Sequence, residues 1–264
     1  MHTLRQPQGI APFPLRSESV YDTFGVGHSS TSISAALGIH LADTLAARQV
    51  ETVVVIGDGA MTAGMAFEAL NHVAASNANM LVILNDNAMS ISENVGGLAN
   101  YFARNISASN INTNRTVGAS ANQENVSADQ RASGSIFTDL GFNYSGPIDG
   151  HNIDQLIEAF GTLKRNPGPK LLHVITQKGK GYGPAERSPV ASHSMTKLEK
   201  EDTSNSNTRS YSSIFGDWIV AQALKDKKLV AITPAMKEGS GLARFAESFP
   251  DRFHDVAIAE QHAI

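Results

Sequence analysis

Two short apolar runs, Val53-Val54-Val55-Ile56 and Met80-Leu81-Val82-Ile83-Leu84, each stop at a turn-forming residue, Gly57 and Asn85. Aliphatic and β-branched runs of this length, closed by glycine or asparagine, read as buried strands. Between them residues 61–75 carry Met65, Ala69, Leu70 and Val73 near the 3.6-residue period, which predicts a helix and makes the whole a βαβ unit. Upstream, residues 1–19 are rich in Pro, Gln and Arg and read as an extended lead-in. Residues 30–49 predict a helix with Ile33, Leu37, Leu41 and Leu45 on one face.

Further along, the pattern breaks and resumes. Asn, Ser, Ala, Gln and Thr dominate residues 102–135, which have no sustained period and too few apolar side chains to offset chain entropy, so a mobile loop is expected there. Residues 136–140 read as a helix or turn, 142–144 as a short strand and 146–151 as a turn. A helix over 152–164 follows with Leu156, Phe160 and Leu163 as its stripe, then a buried strand over 171–175. Residues 197–210, charged and Ser/Asn-rich, read as a linker. A second α/β pattern comes after it: a helix over 211–224 through Ile214, Trp218 and Ala221, a strand over 229–232, a helix over 242–248 and a strand over 256–258. The expected organisation is a diphosphate- and metal-binding domain over 1–196, a linker over 197–210 and the beginning of a second α/β domain over 211–264. The fold class is α/β, a mostly parallel sheet flanked by helices.

Composition narrows the function classes. A chain of 264 residues with a formal charge of −4 and scattered basic residues carries no footprint for nucleic acid or an anionic membrane. Without cysteine there is no disulfide framework, thiol nucleophile or thiolate metal site. No apolar run approaches the length of a membrane span and no signal-peptide core precedes the first helix, so the cytoplasm is the expected location.

Chemistry concentrates where the first two strands end. Gly57-Asp58-Gly59-Ala60 and Asn85-Asp86-Asn87 place a carboxylate and a carboxamide at neighbouring strand ends, where parallel α/β sheets bind ligands. Mg²⁺ favours oxygen donors and is held by few protein groups plus phosphates and water. Asp58, the side-chain oxygen of Asn87 and the backbone carbonyl of Met89 form a candidate set. Gly59 and Ala60 can bring backbone N–H groups to a diphosphate. The helix predicted from residue 30 opens at Gly27-His28-Ser29-Ser30, whose Ser29 and His28 could face the same anion. Simple alternatives stand beside these readings: a polar turn after a core strand, and N-capping by Ser or Thr. Gln177-Lys178-Gly179-Lys180-Gly181-Tyr182, basic and glycine-rich after a strand, also suits an anionic ligand.

The Gly-Asp-Gly turn followed by an Asn-ended strand resembles the thiamine diphosphate signature. The longer stretches GHSSTS at 27–32, GDGAMTAGMAFEALNH at 57–72, LVILNDNAMSISEN at 81–94 and DVAIAEQHA at 255–263 resemble the 1-deoxy-D-xylulose-5-phosphate synthases, with transketolases and 2-oxo acid dehydrogenase subunits as more distant relatives in cofactor logic. The resemblance implies a thiamine diphosphate-binding fold, with thiamine diphosphate and Mg²⁺ as cofactors. It implies condensation of pyruvate with D-glyceraldehyde 3-phosphate to 1-deoxy-D-xylulose 5-phosphate and CO₂ for isoprenoid and thiamine biosynthesis, in a homodimer. Gly27, His28, Ser29, Gly59, Ala60, Asn87, Tyr182 and Glu260 then contact the cofactor, and Asp58, Asn87 and Met89 the metal. Glu260 hydrogen-bonds the aminopyrimidine ring so that it can deprotonate the thiazolium C2, and His28 and His193 could act as proton carriers or as donors to a developing alkoxide. Read from position alone, Tyr182 is a surface tyrosine, His193 a surface histidine and Glu260 a helix N-terminal acid. The resembled enzymes begin before Met1 and run past Ile264, so a fragment, split product or degenerate copy is expected, completed by other chain segments. A transketolase-like split subunit and a non-catalytic protein retaining the fold are the alternatives.

Overall fold

The computed structural model describes residues 3–89, 95–108, 136–190, 192–193 and 209–264, with only the backbone at 104–108. Its first unit contains α1 (Ser32–Leu45), β1 (Thr52–Gly57), a 3₁₀ turn (Ala60–Thr62), α2 (Gly64–Ala75), β2 (Met80–Asp86), α3 (Gly97–Ala108), α4 (Ile136–Asp139), β3 (Asn143–Asp149), α5 (Ile153–Arg165), β4 (Lys170–Ile175) and α6 (Gly183–Arg187). The second contains α7 (Tyr211–Lys225), β5 (Ala231–Thr233), α8 (Ala243–Ser248), a 3₁₀ turn (Pro250–Arg252), β6 (Phe253–Asp255) and α9 (Glu260–Ala263). Both sheets are parallel, in the orders β1-β2-β4-β3 and β5-β6. The expected α/β class with a parallel sheet between helices is what the chain adopts.

The large sheet is covered on two faces by different helices. Val54, Ile56, Val82, Leu84 and Leu171 pack with Ile33 and Leu37 of α1, Leu70 and Val73 of α2, Phe102 of α3 and Phe137 of α4. The other face, Leu81, Leu172 and Val174, takes Leu163 and Leu156 of α5. The helix leading into β2 and the helix leading into β4 therefore lie on opposite faces, and a reversal of this kind opens a crevice beyond the carboxyl ends of the two strands. At β1 the α5 face is uncovered, leaving Val53 and Val55 more than half exposed.

Several expectations need correction. The lead-in is not extended: Ile10 N–H donates to Thr3 O while Arg5 N–H donates to Ile10 O, closing a compact turn. α1 starts at Ser32 and stops at Leu45, which is 89% exposed and lies off the buried stripe of Ile33, Ala36 and Leu37. Residues 97–108 are helical where an irregular segment was expected from 102, and burial of Phe102 explains it, since one aromatic anchor outweighs poor local propensity. The remainder of that expected loop, 109–135, and most of the expected linker, 197–208, lie outside the described residues. The expected turn at 146–151 belongs to β3 as far as Asp149, and the pairing of β3 with β4 slips between Ser145 and Ile148. Gly146 carries this irregularity: its φ is +112°, and a Cβ there would meet the His173 carbonyl oxygen at 2.4 Å. In the second unit, α7 buries Gly216, Ile219 and Ala223, and not the expected Ile214-Trp218-Ala221 face. The last strand is Phe253–Asp255, three residues earlier than the apolar run 256–258 suggested. There Asp255 Oδ1 accepts the N–H groups of Ala257 and Ala235, turning the chain out of the sheet.

Candidate ligand site at the carboxyl edge of the parallel sheet

Asp58 follows β1 directly, its N–H donating to Asn85 O at 3.2 Å, so the carboxylate stands at the edge shared with β2. It is 2% exposed. The chain then enters the 3₁₀ turn, and Gly59 O accepts both the Thr62 N–H at 3.2 Å and the Thr62 hydroxyl at 2.7 Å. Among the described residues, the N–H groups of Gly59 and Ala60 donate to nothing. Gly59 has φ −64°, which any residue adopts, so its backbone torsion does not demand glycine.

The Gly27-His28-Ser29 segment reaches this turn through a residue that sequence reasoning did not single out. Ser30, buried and at φ +68°, donates its hydroxyl to Ala60 O at 2.7 Å. Thr31, at the N-cap of α1, makes no capping bond with its side chain, so the simple capping reading fails there. Gly27 and His28 are exposed and Ser29 is half-buried, with His28 Nδ1 2.7 Å from Ser29 O.

Past β2, the Asn87 side-chain oxygen accepts the Met89 N–H at 3.1 Å, and Asp86 Oδ1 accepts the Ala88 N–H at 3.0 Å. Asn87 is thus half-buried in a tight turn, with one acceptor position of its oxygen used locally and a second lone pair remaining. Past β4, Thr176 donates to Asn85 Oδ1 at 2.7 Å, and residues 177–182 form a turn in which Gly179, at φ +76°, lets α6 close: a Cβ would lie 2.7 Å from Ala185 Cβ. Lys178 in this turn is half-buried. Desolvation lowers its pKa, and the Asp58 carboxylate acts in the opposite sense, so the ammonium lies within electrostatic reach of Asp58. His193 is near as well: its pKa is lowered first by partial desolvation and then by the charges of Lys178 and Arg5, an effect that its solvent exposure keeps small. Tyr182 caps α6 and is 44% exposed.

Glu260 begins α9 and is the acidic residue of its first turn, where the reading of it as a helix N-terminal acid placed it. Its Oε2 is buried and has no hydrogen-bond partner among the described residues.

Beneath the Asn87 turn lies a feature that the sequence reading missed. The fully buried His173 in β4 places Nε2 3.0 Å from Asp86 Oδ2 and Nδ1 2.9 Å from the Tyr144 hydroxyl. Its signal was legible: one histidine inside the otherwise apolar run 171–175.

The residues present fit a magnesium diphosphate. No group of three or more His, Asp or Glu that could hold a metal gathers among the described residues. Mg²⁺ does not need one, because it takes one or two carboxylates with water and phosphate oxygens making up the rest. Asp58, Asn87 and two undonated amides, with a lysine close by, make such a donor set.

Fold and site together define a parallel α/β protein whose charged and amide groups gather beyond the carboxyl edge of its sheet. The chain belongs to the 1-deoxy-D-xylulose-5-phosphate synthase family, whose model matches residues 1–176. It is 51% identical over 278 aligned positions to the 1-deoxy-D-xylulose-5-phosphate synthase of Pseudomonas paraeruginosa, and 51% over 281 to that of Hahella chejuensis. In each case all of this chain is covered but 44% of the relative, so the chain spans less than half the length of the curated relatives it matches. Among solved structures, a transketolase from Campylobacter jejuni aligns with a TM-score of 0.42 at 20% identity, over 62% of this chain and 22% of that one. No helix among the described residues is long and apolar enough to cross a membrane.

Proposed function

We propose that this chain forms the diphosphate- and magnesium-binding part of a thiamine diphosphate-dependent synthase. That enzyme condenses pyruvate with D-glyceraldehyde 3-phosphate into 1-deoxy-D-xylulose 5-phosphate and CO₂, feeding isoprenoid and thiamine biosynthesis. The observation carrying the reading is the gathering of Asp58, Asn87 and Lys178 past the ends of three neighbouring parallel strands, beside the undonated amides of Gly59 and Ala60.

On this reading Asp58 and Asn87, with the backbone of Met89, hold Mg²⁺. The amides of Gly59 and Ala60, the Gly27-His28-Ser29 segment and Lys178 hold the diphosphate. Tyr182 borders the cofactor. Thiamine diphosphate, when bound, supplies the electron sink that decarboxylation of a 2-oxo acid requires. Glu260 hydrogen-bonds the aminopyrimidine ring, a role supported by its buried oxygen, which has no donor among the described residues. His28 and His193 carry protons; the lowered pKa of His193 keeps it neutral and able to accept one. Residues 1–196 make the diphosphate unit, 197–210 the linker and 211–264 the opening of the pyrimidine unit. A cytoplasmic homodimer, or completion by complementing segments, belongs to the same reading.

Calorimetry with thiamine diphosphate tests it. Binding is expected with Mg²⁺ present and should weaken by about a hundredfold in EDTA or in Asp58→Asn. Equal affinity with and without the metal would remove Asp58 and Asn87 from the site.

A further inference from the structure

The turn that presents Asn87 is strained and held from beneath. Ala88 has φ +59°, a left-handed conformation that alanine adopts only against the clash of its Cβ. Its N–H is held by Asp86 Oδ1, one of two side-chain bonds on this turn beside that of Met89 N–H to Asn87 Oδ1.

The other oxygen of that carboxylate meets His173 Nε2 at 3.0 Å, and both side chains are shut off from water. With Asp86 ionised, the carboxylate only accepts, and a neutral imidazole then gives it the Nε2 proton and keeps a lone pair on Nδ1. That lone pair receives the Tyr144 hydroxyl, 2.9 Å away. Burial first, then Tyr101 and Asp86, raise the Tyr144 pKa far above its ordinary 10.0, so the hydroxyl keeps its proton. The rings are themselves wedged: Phe102 lies 5.5 Å from the His173 ring, and Phe137 stacks on Tyr144 at 6.0 Å.

We propose that Tyr144, His173 and Asp86 are positioning residues that set the conformation of the 87–89 turn and thereby the metal end of the site; the inference rests on the function proposed above. None of the three is assigned contact with the ligand. Their action reaches the turn through the Ala88 N–H held by Asp86 Oδ1. Removing the Tyr144 hydroxyl frees His173 to take the other tautomer, which turns a lone pair toward the carboxylate and loosens Asp86.

Two measurements on the 264-residue chain test this. In ¹⁵N NMR of the unsubstituted protein, the His173 imidazole should carry its proton on Nε2; a proton on Nδ1 alone overturns the proposal without any variant. In titrations of thiamine diphosphate binding against Mg²⁺, Tyr144→Phe should raise the half-saturating Mg²⁺ concentration about tenfold, as loss of a group supporting a metal ligand does. Adding Ala88→Gly to that variant should restore most of the loss, because glycine holds the left-handed turn without support. A purely structural role would lower the melting temperature with no change in Mg²⁺ dependence and no rescue, and that result overturns the inference alone. Binding by the unsubstituted chain that ignores Mg²⁺ overturns the proposed function and this inference with it.

Discussion

Ser30→Ala removes a single hydroxyl, and the consequences should reach the Gly59-Ala60 turn. Ser30 is 6% exposed and donates to Ala60 O at 2.7 Å; the other described donor to that carbonyl is the Ala63 N–H at a marginal 3.5 Å. Losing the bond forfeits ~1 kcal/mol net, and leaving the part-buried carbonyl with the marginal Ala63 contact brings the total to about 1.5 kcal/mol. For a chain of this size that corresponds to a melting temperature about 4 °C lower. Alanine retains the strain of φ +68°, whereas Ser30→Gly loses the same bond but relieves ~1 kcal/mol of left-handed clash. Glycine should therefore be tolerated better than alanine. Re-ordering the 27–30 segment on binding absorbs roughly 1 kcal/mol, which weakens diphosphate affinity about fivefold. Thermal melts and calorimetry on both variants measure these quantities. A Ser30→Ala protein with unchanged melting temperature and affinity, or one more stable than Ser30→Gly, would refute the reasoning.

Glu260→Gln should abolish exchange of the cofactor C2 proton while leaving diphosphate affinity within about twofold, since only the carboxylate end of the site changes; an unaltered exchange rate, followed by proton NMR in D₂O, removes Glu260 from its role. His193 has a folded pKa below its ordinary 6.5, so the unfolded chain binds a proton more readily. Its contribution to stability is complete above that value and is lost as pH falls through it toward the folded pKa. Urea midpoints across that window should show a small slope that His193→Gln flattens; an identical slope in the variant argues against the electrostatic setting. Arg252 donates to Ala223 O, Asp226 O and Leu229 O at 3.1–3.3 Å and lies 4.1 Å from the Phe249 ring, closing the end of α7. Arg252→Met should destabilise the second unit by about 2 kcal/mol, partial exposure holding the figure down. Hydrogen exchange in the last turn of α7 reports it, and unchanged protection there would contradict the assignment.

What could be read from the residues alone follows a physical division. Strands β1, β2 and β4 were legible because each is an unbroken aliphatic run buried in a parallel sheet, and Asp58 and Asn87 because they follow such runs directly. α3 was not, because its local composition favours coil and Phe102 is stabilised by partners 35 and 71 residues away, Phe137 and His173. The buried face of α7 was misread because apolar residues surround that helix, and periodicity cannot choose between Ile214-Trp218 and Ile219-Ala223 without knowing where β5 lies. Ser30 and the Tyr144-His173-Asp86 chain were invisible for a related reason: their bonds span 30 residues or, in the chain, 29 and 87. Lys178 was noted only as part of a basic loop, since its approach to Asp58 depends on β4 lying two strands from β1.

The strand order has a consequence for how the molecule is made. β2 pairs with β4, yet β3 and α5 are synthesised between them, about 80 residues after β2 ends. At ordinary translation rates, the nascent βαβ unit waits on the order of ten seconds with the inner border of β2 unpaired. Among the described strand pairings, β2 to β4 closes the longest loop and carries the largest closure entropy. During that interval a nascent chain is most open to capture by holdases or to pairing with a neighbour on the same polysome.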